Sequence, residues 1–95
     1  MPTTVVRYTT TPEHADDNAA LIEKVMAELA ETRPDGLSYK VFRLEDGTFV
    51  HIAEVTADRN PLFDSAAFAA FTADLGSRVV APPLALTATL VGSFA

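Results

Sequence analysis

The sequence contains no cysteine and no tryptophan. The missing cysteine removes disulfides, thiolate nucleophiles and cysteine-based metal sites together, and it is silent about redox compartment. Net positive charge is also missing: Lys and Arg total 7 against 13 Asp and Glu, for a formal charge of -6 and a pI near 4.6. The basic residues are scattered, so the clustered cations that phosphate contacts require are not there. Neither a nucleic acid nor an acidic membrane surface is expected as a partner. No run approaches the roughly 18 consecutive apolar residues of a membrane span. The opening stretch MPTTVVRYTT has neither the basic region nor the apolar run of a secretion signal, and the expected compartment is the cytoplasm. There is no Gly-rich phosphate loop, no GxSxG elbow and no carboxylate pair at convincing spacing, so nucleotide chemistry and triad hydrolysis find no support.

What is present is foldable. The chain has 95 residues, 48% of them apolar and 21% charged, with no low-complexity tract, internal repeat or linker. One domain over residues 1–95 is expected, because a chain this long buries about two-thirds of its unfolded surface. Thr3 to Thr10 is rich in β-branched residues and stops before Pro12, as a strand should. Thr11 can then cap a helix with Pro12 at its first position and Glu13, Asp16 and Asp17 near the positive end of its dipole. Leu21, Ile22, Val25, Met26 and Leu29 continue at helical spacing until Arg33-Pro34-Asp35-Gly36. Leu37 to Glu45 and Thr48 to Thr56 read as two strands joined by Asp46-Gly47, a strong hairpin signal. After ADRNPLFD, Asp64 or Ser65 can cap a second helix carrying Phe68, Phe71, Leu75 and Val79. Ala81-Pro82-Pro83 ends it, and Leu84 to Phe94 reads as a fourth strand. The order βαββαβ predicts an α+β, ferredoxin-like fold with two helices on one face of a four-stranded antiparallel sheet.

A two-residue loop at Asp46-Gly47 pairs Glu45 with Thr48. Phe42, Leu44, Phe49, His51, Ala53 and Val55 then share one face, and Leu37, Tyr39, Val41, Arg43, Val50, Ile52 and Glu54 the other. Both sets are substantially apolar, so both faces need cover. Two helices cover one; a second copy of the sheet is the economical cover for the other. A homodimer through the sheet face is therefore expected.

The strand TFVHIAEV, the helix with SAAFAAF and the order of elements together resemble the antibiotic biosynthesis monooxygenase (ABM) family, whose members are dimeric α/β barrels of about this length. The resemblance spans nearly the whole chain. Family members often carry a Trp just after the third strand, where Val55 stands here, and a His before the helical pair of phenylalanines, where Ala67 stands. The resemblance implies cofactor-free oxidation of anthrone-like polyketides. The haem-degrading branch is not implied, since Trp and the helical His are both missing. Related barrels include isomerases of small ring lactones, so fold alone does not choose the chemistry.

His51 is the one histidine on a strand, and an unperturbed pKa near 6.5 suits it to remove an acidic substrate proton. A satisfied interior histidine is the plainer reading. On the predicted register Tyr39 faces Glu54, with Arg43 four residues along, which offers a donor, an acceptor and a cation for a phenolate or enolate; the plainer reading is a cross-strand hydrogen bond. Arg7 and Tyr8 on the first strand are further substrate-binding candidates. Phe63, Phe68 and Phe71 are either core or the walls of a site for a small apolar or aromatic ligand. His14, among Glu13, Asp16 and Asp17, fits no metal-ligand spacing, and an acidic first turn needs no metal to explain it. No metal and no cofactor is expected. Two functions remain: a cofactor-independent oxygenase or isomerase, and a non-catalytic dimer that binds a small molecule or serves as a structural module.

Overall fold

The computed structural model describes residues 3–95. The β-branched opening forms β1, Thr3–Thr9, and Thr10 continues it far enough to bridge Val79. Pro12 starts a single 3-10 turn, Pro12–His14, that leads into α1, Ala15–Thr32. The Thr11 side chain does not cap the backbone as expected; its hydroxyl is held by His14 Nδ1 at 2.6 Å. Along α1 the spacing of Ile22 and Val25 turns one apolar stripe inward. The helix ends where Arg33 adopts a left-handed conformation (φ 45°) and its N–H bonds the Leu29 carbonyl.

The hairpin follows as β2, Leu37–Arg43, and β3, Thr48–Val55. A 3-10 turn, Pro61–Asp64, leads to α2, Ala66–Ala73, whose first turn is capped by Ser65 Oγ accepting from the Phe68 N–H at 3.0 Å. A further 3-10 turn, Leu75–Ser77, precedes β4, Leu84–Ala88. The strands order as β2-β3-β1-β4, with every neighbour antiparallel. With two helices this is the ferredoxin-like α+β fold. The core joins the helices to the sheet face that carries Tyr8 and Phe49: Ile22, Val25, Leu62 and Phe71 pack against them.

Three further expectations need correction. The second helix ends at Ala73, well before Ala81-Pro82-Pro83: Leu75 lies in the following 3-10 turn and Val79 bridges Thr10. The hairpin register differs by one residue. Arg43 pairs with Phe49, the Leu44 N–H bonds the Thr48 carbonyl at 2.7 Å, and the loop is Glu45-Asp46-Gly47. Gly47 takes the left-handed position (φ 87°) and the Asp46 carboxylate accepts from the Thr48 N–H at 2.9 Å, both of which suit a three-residue loop with glycine in the bulge. A one-residue slip turns one strand over relative to its partner. His51 therefore shares its face with Leu37, Tyr39, Val41 and Arg43, while Glu54 lies on the other side with Phe42, Val50 and Ile52.

The fourth strand is also shorter than expected. It stops at Ala88, which pairs with Thr3, the first described residue of β1, and Leu90, Val91 and Phe94 lie exposed beyond it. The side of the sheet away from the helices carries Val5, Val50 and Ile52 at its centre, with Phe42, Leu84 and Leu86 exposed around them.

Candidate active site

The corrected register gathers the aromatic polar residues of three strands. Val41 pairs with His51 and Val6 pairs with His51 from the other side, so Tyr39 and Tyr8, each two residues along its strand from one of those partners, flank the imidazole on the helix-facing side. His51 is buried, and both ring nitrogens are occupied: Nε2 lies 2.7 Å from the Tyr8 hydroxyl and Nδ1 lies 2.6 Å from the Tyr39 hydroxyl. Tyr8 also accepts a hydrogen bond from Asn18 Nδ2 at 3.0 Å. Asn18 Oδ1 in turn accepts from Arg78 Nε at 3.0 Å, and Arg78 Nη2 donates to the Phe71 carbonyl at 2.8 Å.

Tyr8, His51 and Tyr39 close one side of a cavity of about 360 Å³ between the sheet and α2, with Asn18 and Arg78 behind them. Tyr8, Tyr39 and His51 supply its polar side; Phe68 and Phe71 supply an aromatic wall; Asn60, Phe63 and Leu75 also border it. The Phe71 ring lies 5.5 Å from the imidazole, and Phe68 meets Tyr39 edge-on at 6.3 Å. A largely apolar space with a few converging polar groups is the usual form of a small-molecule site.

Burial decides the charges. It pushes His51 down to about 4, so the ring is neutral at pH 7. Burial pushes the Tyr8 phenol up to about 12, against the smaller opposing effects of the Asn18 hydrogen bond and the Arg78 charge. Tyr39 is raised as well, by burial first and then by its proximity to Tyr8. The site holds neutral donors and acceptors beside a buried guanidinium.

Of the residues expected at a site, His51, Tyr39, Tyr8, Phe68 and Phe71 come together, and Phe63 stands at the cavity with most of its surface exposed. The remaining three do not join them. Arg43 is on the helix-facing side but at the end of the strand, ion-paired with Asp16 at 3.0 Å and lying over the Phe49 ring. Glu54 pairs with Thr3 and Ser38, and Arg7 with Val50 and Leu84, all on the outer side of the sheet; the assumed register is what had placed Glu54 against Tyr39. Each ring nitrogen of His51, the candidate base, meets a phenol hydroxyl.

Asn18 and Arg78 were not anticipated, although each carried a signal. Asn18 lies four and seven residues before Ile22 and Val25, within the apolar stripe of α1, and Arg78 lies seven residues after Phe71 and three after Leu75, on the stripe of the helix as the sequence had suggested it. A polar residue at a core position of a helical stripe is a candidate for a buried network. Among the described residues, no group of three or more His, Cys, Asp or Glu is placed to hold a metal ion, and no helix is long and apolar enough to cross a membrane.

No known protein-family profile matches the chain, and no curated protein matches it. Solved structures do. An antibiotic biosynthesis monooxygenase superposes with a TM-score of 0.72 at 20% identity, over 97% of this chain and 100% of that one. A Nitrosomonas europaea protein provisionally named antibiotic biosynthesis monooxygenase gives 0.77 at 10% identity, again over 97% and 100% of the two chains. A Caulobacter crescentus protein with the same provisional name gives 0.73 at 17% identity over 96% and 90%. The chain has the ferredoxin-like fold of these monooxygenase-named proteins over nearly its full length; at such identities the shared property is the fold.

Proposed function

We propose that the protein is a cofactor-independent monooxygenase acting on a small aromatic or polyketide-like molecule held between α2 and the sheet. The observation that carries this reading is the aromatic-walled cavity closed by the Tyr39–His51–Tyr8 cluster. In the proposed reaction an activated CH2 flanked by a ketone and aromatic rings ionises to an enolate, giving its proton to solvent water. The enolate passes an electron to dioxygen, the resulting radical pair joins as a peroxide that takes a proton back from water, and loss of water from the hydroperoxide leaves a new ketone; one O2 is consumed and one water released. Tyr39 holds the oxygen on which charge develops, and His51 supports Tyr39 from behind. Phe68 and Phe71 form the wall for the rings. Oxygen uptake with a panel of anthrones and quinols tests the reading: turnover above the buffer rate that drops in His51→Ala and Tyr39→Phe is expected. A panel without uptake, or variants with unchanged rates, overturns it.

A second reading has its own support. Burial moves His51, Tyr8 and Tyr39 away from neutrality, which suits a receptor better than a proton-transfer site. On that reading the protein is a non-catalytic binding module, and recovery of a chemically altered ligand after incubation would defeat it.

Both readings include a homodimer through the outer sheet face, supported by the half-buried Val5, Val50 and Ile52 and the exposed Phe42, Leu84 and Leu86 around them. Light scattering that returns a monomer at micromolar concentration would remove the dimer from both.

A further inference from the structure

The buried polar cluster has a direction, and it can be worked out donor by donor. A guanidinium only donates, so Asn18 must turn its oxygen to Arg78 and its NH2 to Tyr8. The Tyr8 oxygen thus receives a hydrogen bond, and the Tyr8 hydrogen has one partner left, His51 Nε2. A neutral imidazole with Nε2 accepting carries its proton on Nδ1, which then donates to the Tyr39 oxygen. The Tyr39 hydrogen is not claimed by the cluster, and Tyr39 lines the cavity. The reverse arrangement would leave the Tyr8 hydrogen with no protein acceptor, in a residue that is 5% exposed and whose oxygen would already accept from Asn18 and His51, whereas half-buried Tyr39 can present its hydrogen to the cavity. Every bond in the series therefore points the same way, from Arg78 through Asn18, Tyr8 and His51 to a phenol hydrogen that faces the cavity.

The origin of the series is a cation with no counter-ion among the described residues. Arg78 is 4% exposed, and among the described residues its partners are the Asn18 and Phe71 oxygens and the Phe71 ring face, 5.3 Å from its guanidinium carbon. The ion pairs in the described residues use other cations, Arg43 and Arg59, together with a His14–Glu13 contact. A buried charge without a counter-ion is costly, and an anion at the far end of an aligned hydrogen-bond series offsets part of that cost.

We infer that the cavity selects a ring oxygen in its anionic form, a phenolate or enolate held by the Tyr39 hydroxyl, and that Asn18 and Arg78 are positioning residues that fix the His51 tautomer and aim the series at that oxygen. The inference rests on the cavity being the substrate site, and it assigns the ionic form that the site takes. It does not depend on oxygen chemistry.

The probe is 4-nitrophenol, whose two ionic forms absorb at different wavelengths. Titrated with the full-length protein across pH, its phenolate is expected to bind at least about tenfold more tightly than the neutral phenol, which appears as a fall of about one unit or more in the pKa of the bound probe. Arg78→Met and Tyr39→Phe are each expected to abolish that preference. Nitrogen-15 NMR of the wild-type imidazole needs no variant to fold: a protonated Nδ1 and an unprotonated Nε2 are expected. A proton on Nε2 overturns the inference, as does tighter binding of the neutral phenol, no binding of either form, or an unchanged preference in a folded Arg78→Met or Tyr39→Phe protein. A clear phenolate preference without oxygen uptake from any anthrone overturns the oxygenase reading alone.

Discussion

Acid should loosen this protein at a pH where most domains of its size are still fully stable, and His51 should be the reason. In the unfolded chain the imidazole titrates near its ordinary value of 6.5; in the folded protein, burial holds it down to about 4. Between those values the unfolded state binds a proton that the folded state refuses, so stability is intact above about pH 6.5 and declines as pH falls toward 4. The full difference corresponds to about 3 kcal/mol, of which about 2.5 kcal/mol is already lost at pH 4.5. A domain this size shifts its melting midpoint by about 5 degrees per kcal/mol, so a drop of about ten degrees between pH 7 and pH 4.5 is assigned to this one ring. The assay is thermal denaturation across that interval for the wild type and for His51→Gln, whose amide can still donate to one phenol and accept from the other. Asp46, held below the usual carboxylate range by its bond to the Thr48 N–H, loses its contribution at lower pH and equally in both proteins. The wild-type midpoint should fall steeply while His51→Gln falls little. Parallel curves for the two proteins would refute the assignment.

Other consequences are open to the same kind of measurement. Tyr8→Phe strands both Asn18 Nδ2 and His51 Nε2 in the interior and should cost about 1–3 kcal/mol in urea denaturation, whereas Tyr39→Phe, in a half-buried residue, should cost about 1 kcal/mol. Gly36→Ala places a Cβ 2.7 Å from the Ala57 backbone nitrogen at a φ of 78° and should destabilise by about 1–3 kcal/mol; Gly76→Ala, where nothing lies within 4 Å, should be close to neutral. If the outer face joins two copies, Leu86→Lys should give a monomer by light scattering while the circular dichroism of the folded chain is retained.

What was legible beforehand was local. Pro12, the Arg33-to-Gly36 stop, the Asp46-Gly47 turn and the Ser65 cap each act within a few residues and mark the order of elements; the end of the second helix was misread, because α2 stops at Ala73 and not at Ala81-Pro82-Pro83. The hairpin register was not legible, because Asp46-Gly47 suits both a two-residue turn and the last two positions of a three-residue loop. The usual arbiter, the apolar pattern, was no help: Leu37, Tyr39 and Val41 alternate with a strand face that also ends in Phe42. The consequence fell on the site, since the register decides whether Tyr39 meets Glu54 or His51. Asn18 and Arg78 were hidden for a different reason. Their contact joins the start of α1 to the segment after α2, sixty residues apart, and no local pattern links the two.

The placement of β1 at the centre of the sheet also sets an order of assembly. Tyr39 and His51 belong to one hairpin and are brought together by the closure of a three-residue loop. Tyr8 belongs to a strand whose partners lie far along the chain: Thr4 pairs with Ala53 on one side and with Thr87 on the other. The entropy of closing such long loops must be overcome before those pairings are rewarded, which places this topology among the slower folders of its size. The imidazole should therefore acquire its Tyr39 partner early and its Tyr8 partner late. Mutations at Tyr8 are then expected to speed unfolding while leaving the folding rate nearly unchanged, so that the polar cluster locks the finished domain and has little part in starting it.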